Sequence, residues 1–479
     1  MEVPMHRILM LTMAGILVVS AQDPLVIHEW GTFTSLQDEA GRTIGGINTD
    51  EEHLPAFVHD LRPVDLAQHT DLAPRLVKSA PRLAREVTMR LETPVVYVHL
   101  PAGMDQARFD LSVRFHGGIL SQFYPDAEAT IDGKAAPRGK AWSPAKLTPA
   151  TTSTLTWRDV VAGGRIPAPA TDSPVWLAPR RVEAAPLDVG AEGERYLFYR
   201  GLAHLDAPLV AVRSDDGESL TVRTRGGAEA DLAGVPRLWL ADLRGDGSAA
   251  WRSMAASAAG AASVVSADFA AEDYSTARLA ELRRELHAGL VADGLFADEA
   301  EALLATWQAS YFLSAGQRLF FLVPQAWTDR VMPLTVSTPA VVRRVMMGRL
   351  EVVAPTQRRA LEAIAARTPA DIGWYQRFLA QRVFTPAGSQ VLWRPGGMEI
   401  MKRLTSPEGR GVLTEVGAPM PVEYRAYLSL GRFRDALLLH AQEQQPDPEL
   451  AQFIRAYLTR DGRRDAPAPP ALARSPTQP

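Results

Sequence analysis

From Phe109 to Phe115 every second residue is apolar (Phe109, Leu111, Val113, Phe115) and those between are polar. Only an extended chain, whose side chains alternate between two faces, sorts that pattern into a dry side and a wet side. The β-branched run Val95-Val96-Tyr97-Val98, closed by Pro101, gives the same signal. So do Tyr196-Leu197-Phe198-Tyr199 and Leu209-Val210-Ala211-Val212. Ser214 to Glu218 then reads as the turn of a hairpin into Leu220-Thr221-Val222. Two Pro/Ala-rich stretches, Lys134 to Pro149 and Ile166 to Pro186, read as surface loops or as a seam between two β units. Strands at this spacing without intervening helices favour a sandwich over a parallel sheet. Residues 22–270 are therefore expected to form a β-rich, sandwich-like domain.

The period changes near Asp273. Leu279, Leu282, Leu286 and Leu290 fall on one helical face that Asp293-Gly294 would end. Asp298 followed by Glu301 resembles a capping box, with Leu303, Trp307 and Tyr311 lining the helix behind it. Leu319 to Val323, Val331 to Val336 and Val341 to Val353 carry strand signals. Thr368-Pro369 with Asp371 reads as a helix start, and 421–460 as two further helical segments. Residues 271–464 are expected to be a mixed α/β, largely helical region, so the fold class is α+β. The Pro/Ala-rich 465–479 is expected to be a disordered tail.

The first 21 residues run in the order of a secretory signal. A short start carries Arg7, Ile8 to Val19 is uncharged, and Val19-Ser20-Ala21 supplies the small residues of a cleavage site before Gln22. A dozen apolar residues fall short of the roughly 20 that span a bilayer. The chain is thus expected to be periplasmic or extracellular, with no membrane span in its mature form. A formal net charge of -4 and the lack of a basic tract argue against nucleic acid as a partner. Arginine far outnumbers lysine and alanine is abundant, which reads as coding bias and discounts clusters such as Arg343-Arg344. With no cysteine, thiolate zinc sites, iron–sulfur clusters and cysteine nucleophiles are excluded.

No nucleophile elbow, metalloprotease helix, phosphate loop or dinucleotide fingerprint is present in the sequence. Ser143-Pro144-Ala145-Lys146 matches a serine–lysine pattern by chance, in a stretch too proline-rich to supply a helix. Asp242 to Gly247 has half of a calcium loop and no later carboxylate, so a hairpin turn is the better reading. The histidines stand out. His28, His53, His59, His69, His99 and His116 are six of a total of 10, crowded into one β-rich stretch with Glu29, Asp50, Glu51, Glu52 and Asp60. Imidazole is the usual ligand where thiolate is absent. In a strand, His28 and Trp30 share one face, and Ile27, Glu29 and Phe33 the other. The candidate metal ligands are His28 and His59, completed by His53 or His116, around zinc or copper; the candidate catalytic residues are His28 and Glu29, with Glu29 paired either with another carboxylate or with His28. A shared ion requires the imidazoles to converge within about 4–5 Å. The competing reading is that His28 and His59 bond backbone carbonyls on neighbouring strands.

His28-Glu29-Trp30-Gly31-Thr32-Phe33-Thr34, placed just after a signal-like segment, resembles the opening of an uncharacterised secreted bacterial protein family. Glu92-Thr93-Pro94-Val95-Val96-Tyr97, Gln122-Phe123-Tyr124-Pro125, Tyr196 to Gly201, Leu319 to Pro324, Met332-Pro333-Leu334 and Gly348-Arg349 are similar to it as well. The resemblance implies export and a single architecture, and brings no activity or catalytic residue. Three functional readings follow: a periplasmic or secreted ligand- or metal-binding protein, a hydrolase acting on envelope or environmental polymer, and a structural or assembly protein. The partner in the first two is a small molecule or an envelope polymer.

Overall fold

The computed structural model describes residues 23–48, 54–61, 76–77, 80–81, 84–136, 147–225, 235, 237–254, 261–366 and 422–457. The signal-like segment, His53, His69, Ser143 to Lys146, the helix start at Thr368-Pro369 and the tail lie outside them. Strand outweighs helix, in several sheets, so the chain is α+β with a β-rich region.

A nine-stranded sheet forms the centre. Its strands, in chain order, are β1 (Leu25–Gln37), β2 (His59–Asp60), β3 (Met89–His99), β4 (Gly118–Tyr124), β5 (Leu197–Ala203), β6 (Leu238–Leu243), β7 (Ala249–Met254), β8 (Gly316–Val323) and β9 (Ala340–Val352). Across the sheet they run β7-β6-β8-β9-β1-β3-β5-β4-β2. Every pair is antiparallel except β1 with β9, which lie parallel from Leu25↔Ala340 to Gln37↔Val352.

The central sheet draws strands from both sides of the boundary expected near residue 270. β8 and β9 bond directly to β6 and β1, so main-chain hydrogen bonds cross that boundary throughout the middle of the sheet. Segments 22–270 and 271–464 do not each close a sheet of their own.

Each face of the sheet buries a different layer. Ile27, Phe33, Val96, Val98, Tyr199, Leu319, Phe321, Met346 and Leu350 share an apolar cluster with Phe109, Leu111, Val113, Phe115, Leu155 and Trp157 of a second, antiparallel sheet. Trp30, Val95, Tyr97, Phe198, Trp239, Phe320, Leu322, Val345 and Met347 pack on the opposite face, against helices. Those are α1 (Thr276–Ala292) and α2 (Ala297–Thr306), followed by a π-helical turn at Gln308–Leu313. Leu282, Leu286 and Leu290 of α1 and Leu303 and Trp307 of α2 supply the seam, as the 3.6 period implies.

The α1–α2 junction turns at Gly294, whose φ of +116 suits a residue without Cβ. The N-cap of α2 differs from the expected Asp298–Glu301 box. The helix starts two residues earlier, after Phe296, and Glu299 reaches back to accept the Phe296 amide at 2.8 Å. Phenylalanine has no acceptor to reciprocate, so this is half of a capping box. Glu301 instead pairs with Arg283 on α1. Val331 to Val336 also divides, into a helix Gln325–Val331 and a strand Leu334–Val336. The Asp242 to Gly247 segment is a hairpin turn between β6 and β7, as read. No helix among the described residues is long and apolar enough to cross a membrane.

Candidate functional site

In the antiparallel pair β1–β3, His28 lies opposite Tyr97 and Val26 opposite His99. Two positions along a strand return to the same face, so His28 and His99 are diagonal neighbours on one side of the sheet. That side is the one covered by helices. The α1–α2 turn sets the start of α2 over this corner, and Glu299, in the first turn, descends between the imidazoles. Glu299, Leu303 and Trp307 follow one another at four-residue spacing, so the carboxylate occupies the face the helix buries.

The contacts close on the carboxylate. His28 Nδ1 lies 2.8 Å from Glu299 Oε2, and His99 Nε2 lies 2.9 Å from Oε1. Oε2 also accepts the Phe296 amide. The two imidazole centroids are 5.2 Å apart, and the Phe296 ring covers both at 4.6 and 4.9 Å. The Glu299 side chain is fully buried, His28 is 6% exposed and His99 15%. Burial pushes the Glu299 carboxyl up, but hydrogen bonds from His28 and His99, the charge of His28 and the Phe296 amide together hold it below its usual value. Tyr97 is pushed well above the usual tyrosine range by burial and then by Glu299. Its hydroxyl donates to the Pro179 carbonyl at 2.9 Å.

One ligand atom from each of His28, His99 and Glu299 lies within 4.8 Å of the others. Donors of a tetrahedral zinc with bonds of about 2.1 Å stand about 3.4 Å apart, so small side-chain adjustments bring this set onto an ion. Two imidazoles and a carboxylate are ligands that borderline divalent metals accept.

This grouping replaces much of the one expected from sequence. His59 lies on β2, four strand spacings or about 19 Å from β1. Its Nε2 meets Glu192 at 2.8 and 3.0 Å, and its ring stacks on Phe123 and Tyr124. His28 and His59 therefore cannot share an ion. His116 ends a strand of the second sheet opposite Thr152, away from the helix-covered face. His53 is outside the described residues. His28 and Glu29, one of the two catalytic pairings expected, lie on opposite sides of the sheet. Adjacent residues of a strand point to opposite faces, and Glu29 is fully buried against the second sheet. There it accepts from the Tyr199 hydroxyl and from Arg344 Nε at 2.5 Å. Arg344, discounted in sequence as coding bias, is its buried counter-ion.

Sequence reasoning had noted His99 but not chosen it, and had missed Glu299. Both signals were available. His99 stands two residues beyond Tyr97 in the same strand pattern. Glu299 is a charged residue on a helix face otherwise made of Leu303 and Trp307.

No family model matches the chain, and no curated protein matches it. Among solved structures, the Fcho1 Mu homology domain of Danio rerio with a bound Eps15 peptide is similar at 8% identity, over 70% of this chain and 96% of that one. The TM-score is 0.26, too low for the likeness to bear on fold or function.

Proposed function

We propose that this chain is an exported metal-binding protein, periplasmic or secreted, that holds one zinc or copper(II) ion between His28, His99 and Glu299. The observation that carries the reading is the convergence of three ligand-type side chains from β1, β3 and α2 at one corner of the sheet. Charge supports it. A buried carboxylate costs free energy unless it is paired, and a divalent cation compensates it more fully than hydrogen bonds from the imidazoles do. The Phe296 amide supports it too, because its hydrogen bond to Glu299 Oε2 orients the carboxylate as a metal ligand requires. We read the nine-stranded and second sheets, with their shared apolar cluster, as the two layers of a sandwich that holds β1 and β3 rigid beneath the site. The partner at such a centre is a small molecule or an envelope polymer.

The test is metal content. Chelator-stripped protein is dialysed against limiting zinc or copper(II) and assayed by mass spectrometry, with calorimetry for affinity. One equivalent is expected. His28→Ala, His99→Ala and Glu299→Ala should each weaken binding at least tenfold, while His59→Ala and His116→Ala leave it unchanged. Wild-type protein that takes up neither metal stoichiometrically, or a Glu299→Ala variant that binds as well as wild type, removes the proposal.

A further inference from the structure

We infer that the ion proposed at His28, His99 and Glu299 keeps its fourth position open to an outside ligand, an oxygen-donor anion bearing an apolar group, and that Phe296 governs access to it. The inference rests on the metal-binding reading and goes beyond it by naming what the metal binds.

The ligand number comes first. Among the described residues, the grouping of metal-ligating side chains here contains three members. Structural zinc sites are closed by four protein ligands, whereas three leave a position for water or a solute. The nearest additional carboxylate in sequence, Asp298, is committed elsewhere: Oδ2 accepts the Glu183 amide at 2.8 Å and Oδ1 the Glu299 amide at 3.0 Å.

Charge then selects the ligand. A divalent ion, one carboxylate and two neutral imidazoles sum to one positive charge in a largely buried corner. An anion neutralises it, and a carboxylate or hydroxamate oxygen suits a borderline metal.

The rim gives the apolar part. Phe296 covers both imidazoles yet is 48% exposed. Val341, 53% exposed, pairs with Val26, two residues before His28 on the same face of the sheet. A ligand reaching the ion past these side chains can bury an apolar group against them. Glu299 and His28 lie beneath, so the exposed ring of Phe296 and the edge of His99 mark the open side.

Cobalt(II)-loaded protein reads this directly, because its visible absorption reports coordination. Acetohydroxamate should change the spectrum saturably, and benzohydroxamate should half-saturate at a concentration at least fivefold lower. In Phe296→Ala, EDTA should strip the metal at least tenfold faster, with Phe296→Leu between the two, and the preference for benzohydroxamate should shrink. A cobalt spectrum indifferent to both hydroxamates overturns the open position. Equal half-saturation for the two overturns the apolar part, and extraction from Phe296→Ala within twofold of wild type overturns the gate. Wild-type protein that binds neither cobalt nor zinc overturns the metal reading itself, a result distinct from all three.

Discussion

Replacing Glu29 with alanine should destabilise the fold without touching the proposed metal centre, and the size of the loss follows from its surroundings. The Glu29 side chain is fully buried and that of Arg344 is 1% exposed. Burial alone would lower the arginine, and the charge of Glu29 more than reverses this, holding it above its usual range. With charge centres about 4 Å apart and an effective dielectric of about 20, the lost attraction is about 4 kcal/mol. Asp329, 3.0 Å from Arg344 Nη1 but 48% exposed, recovers little of it through solvent screening. Breaking one side of a buried pair costs about 3–5 kcal/mol, and Glu29→Ala should fall in that range. Removing both charges is different. Glu29→Met with Arg344→Met should recover most of the loss, leaving about 1–3 kcal/mol for the Tyr199 hydroxyl, which keeps only the weak acceptor Met332 Sδ at 3.6 Å. Adding Tyr199→Phe should remove that remainder. Urea unfolding followed by tryptophan fluorescence measures each step, provided the slope with denaturant stays constant. A Glu29→Ala variant within about 1 kcal/mol of wild type, or a double variant as unstable as the single losses summed, refutes the reasoning.

Three further outcomes follow from the structure. A Cβ on Gly348 would stand 2.1–2.4 Å from the Phe321 ring, so Gly348→Ala should cost about 1–3 kcal/mol by overpacking, with Phe321→Leu relieving part of it in the same urea assay. Asp38 is pushed up by burial but brought down to about 2 by hydrogen bonds from His440 and Arg42 and by the Arg42 charge. A carboxyl depressed in the fold lends stability that is complete above its unfolded value near 3.8 and lost as pH falls toward 2, so Asp38→Asn should lose about 2 kcal/mol at pH 7 and flatten that part of the acid limb. A fragment ending at residue 270 should show no cooperative unfolding transition, because it lacks the strands that bond to β1 and β6; a sharp transition in that fragment would restore the two-domain division.

Much of the strand content was legible because it rests on local alternation. Phe109 to Phe115 and Val95 to Val98 lie in strands of the expected phase, and His28 and Glu29 face opposite ways as the period requires. The distinctive segments prove to be neighbours. Trp30 pairs with Val95, Phe198 with Tyr124, and Phe321 with Gly348. Gly31 is glycine because Pro94, in the bulge opposite, approaches to 3.0 Å of where a Cβ would stand. The sheet order could not be read, because no local pattern says that β9 lies beside β1 across some 300 residues. The site was half legible for the same reason. His28 and His99 are visible as residues, but their convergence depends on strand register, and Glu299 arrives from a helix 200 residues beyond His99.

The parallel pairing of β1 with β9 also fixes an order of events. β1 is the first strand among the described residues, yet it sits in the interior of the sheet, flanked by β3 on one side and β9 on the other. As the polypeptide is delivered from its N-terminus, β1 can pair with β3 early, but its other edge stays bare until residues 340–352 emerge. Pairings of such high sequence separation form slowly, since a long loop must close before any contact rewards it. For most of its synthesis the chain therefore carries its central strand with one edge open. The consequence is a long interval in which that edge must be kept from pairing with another chain.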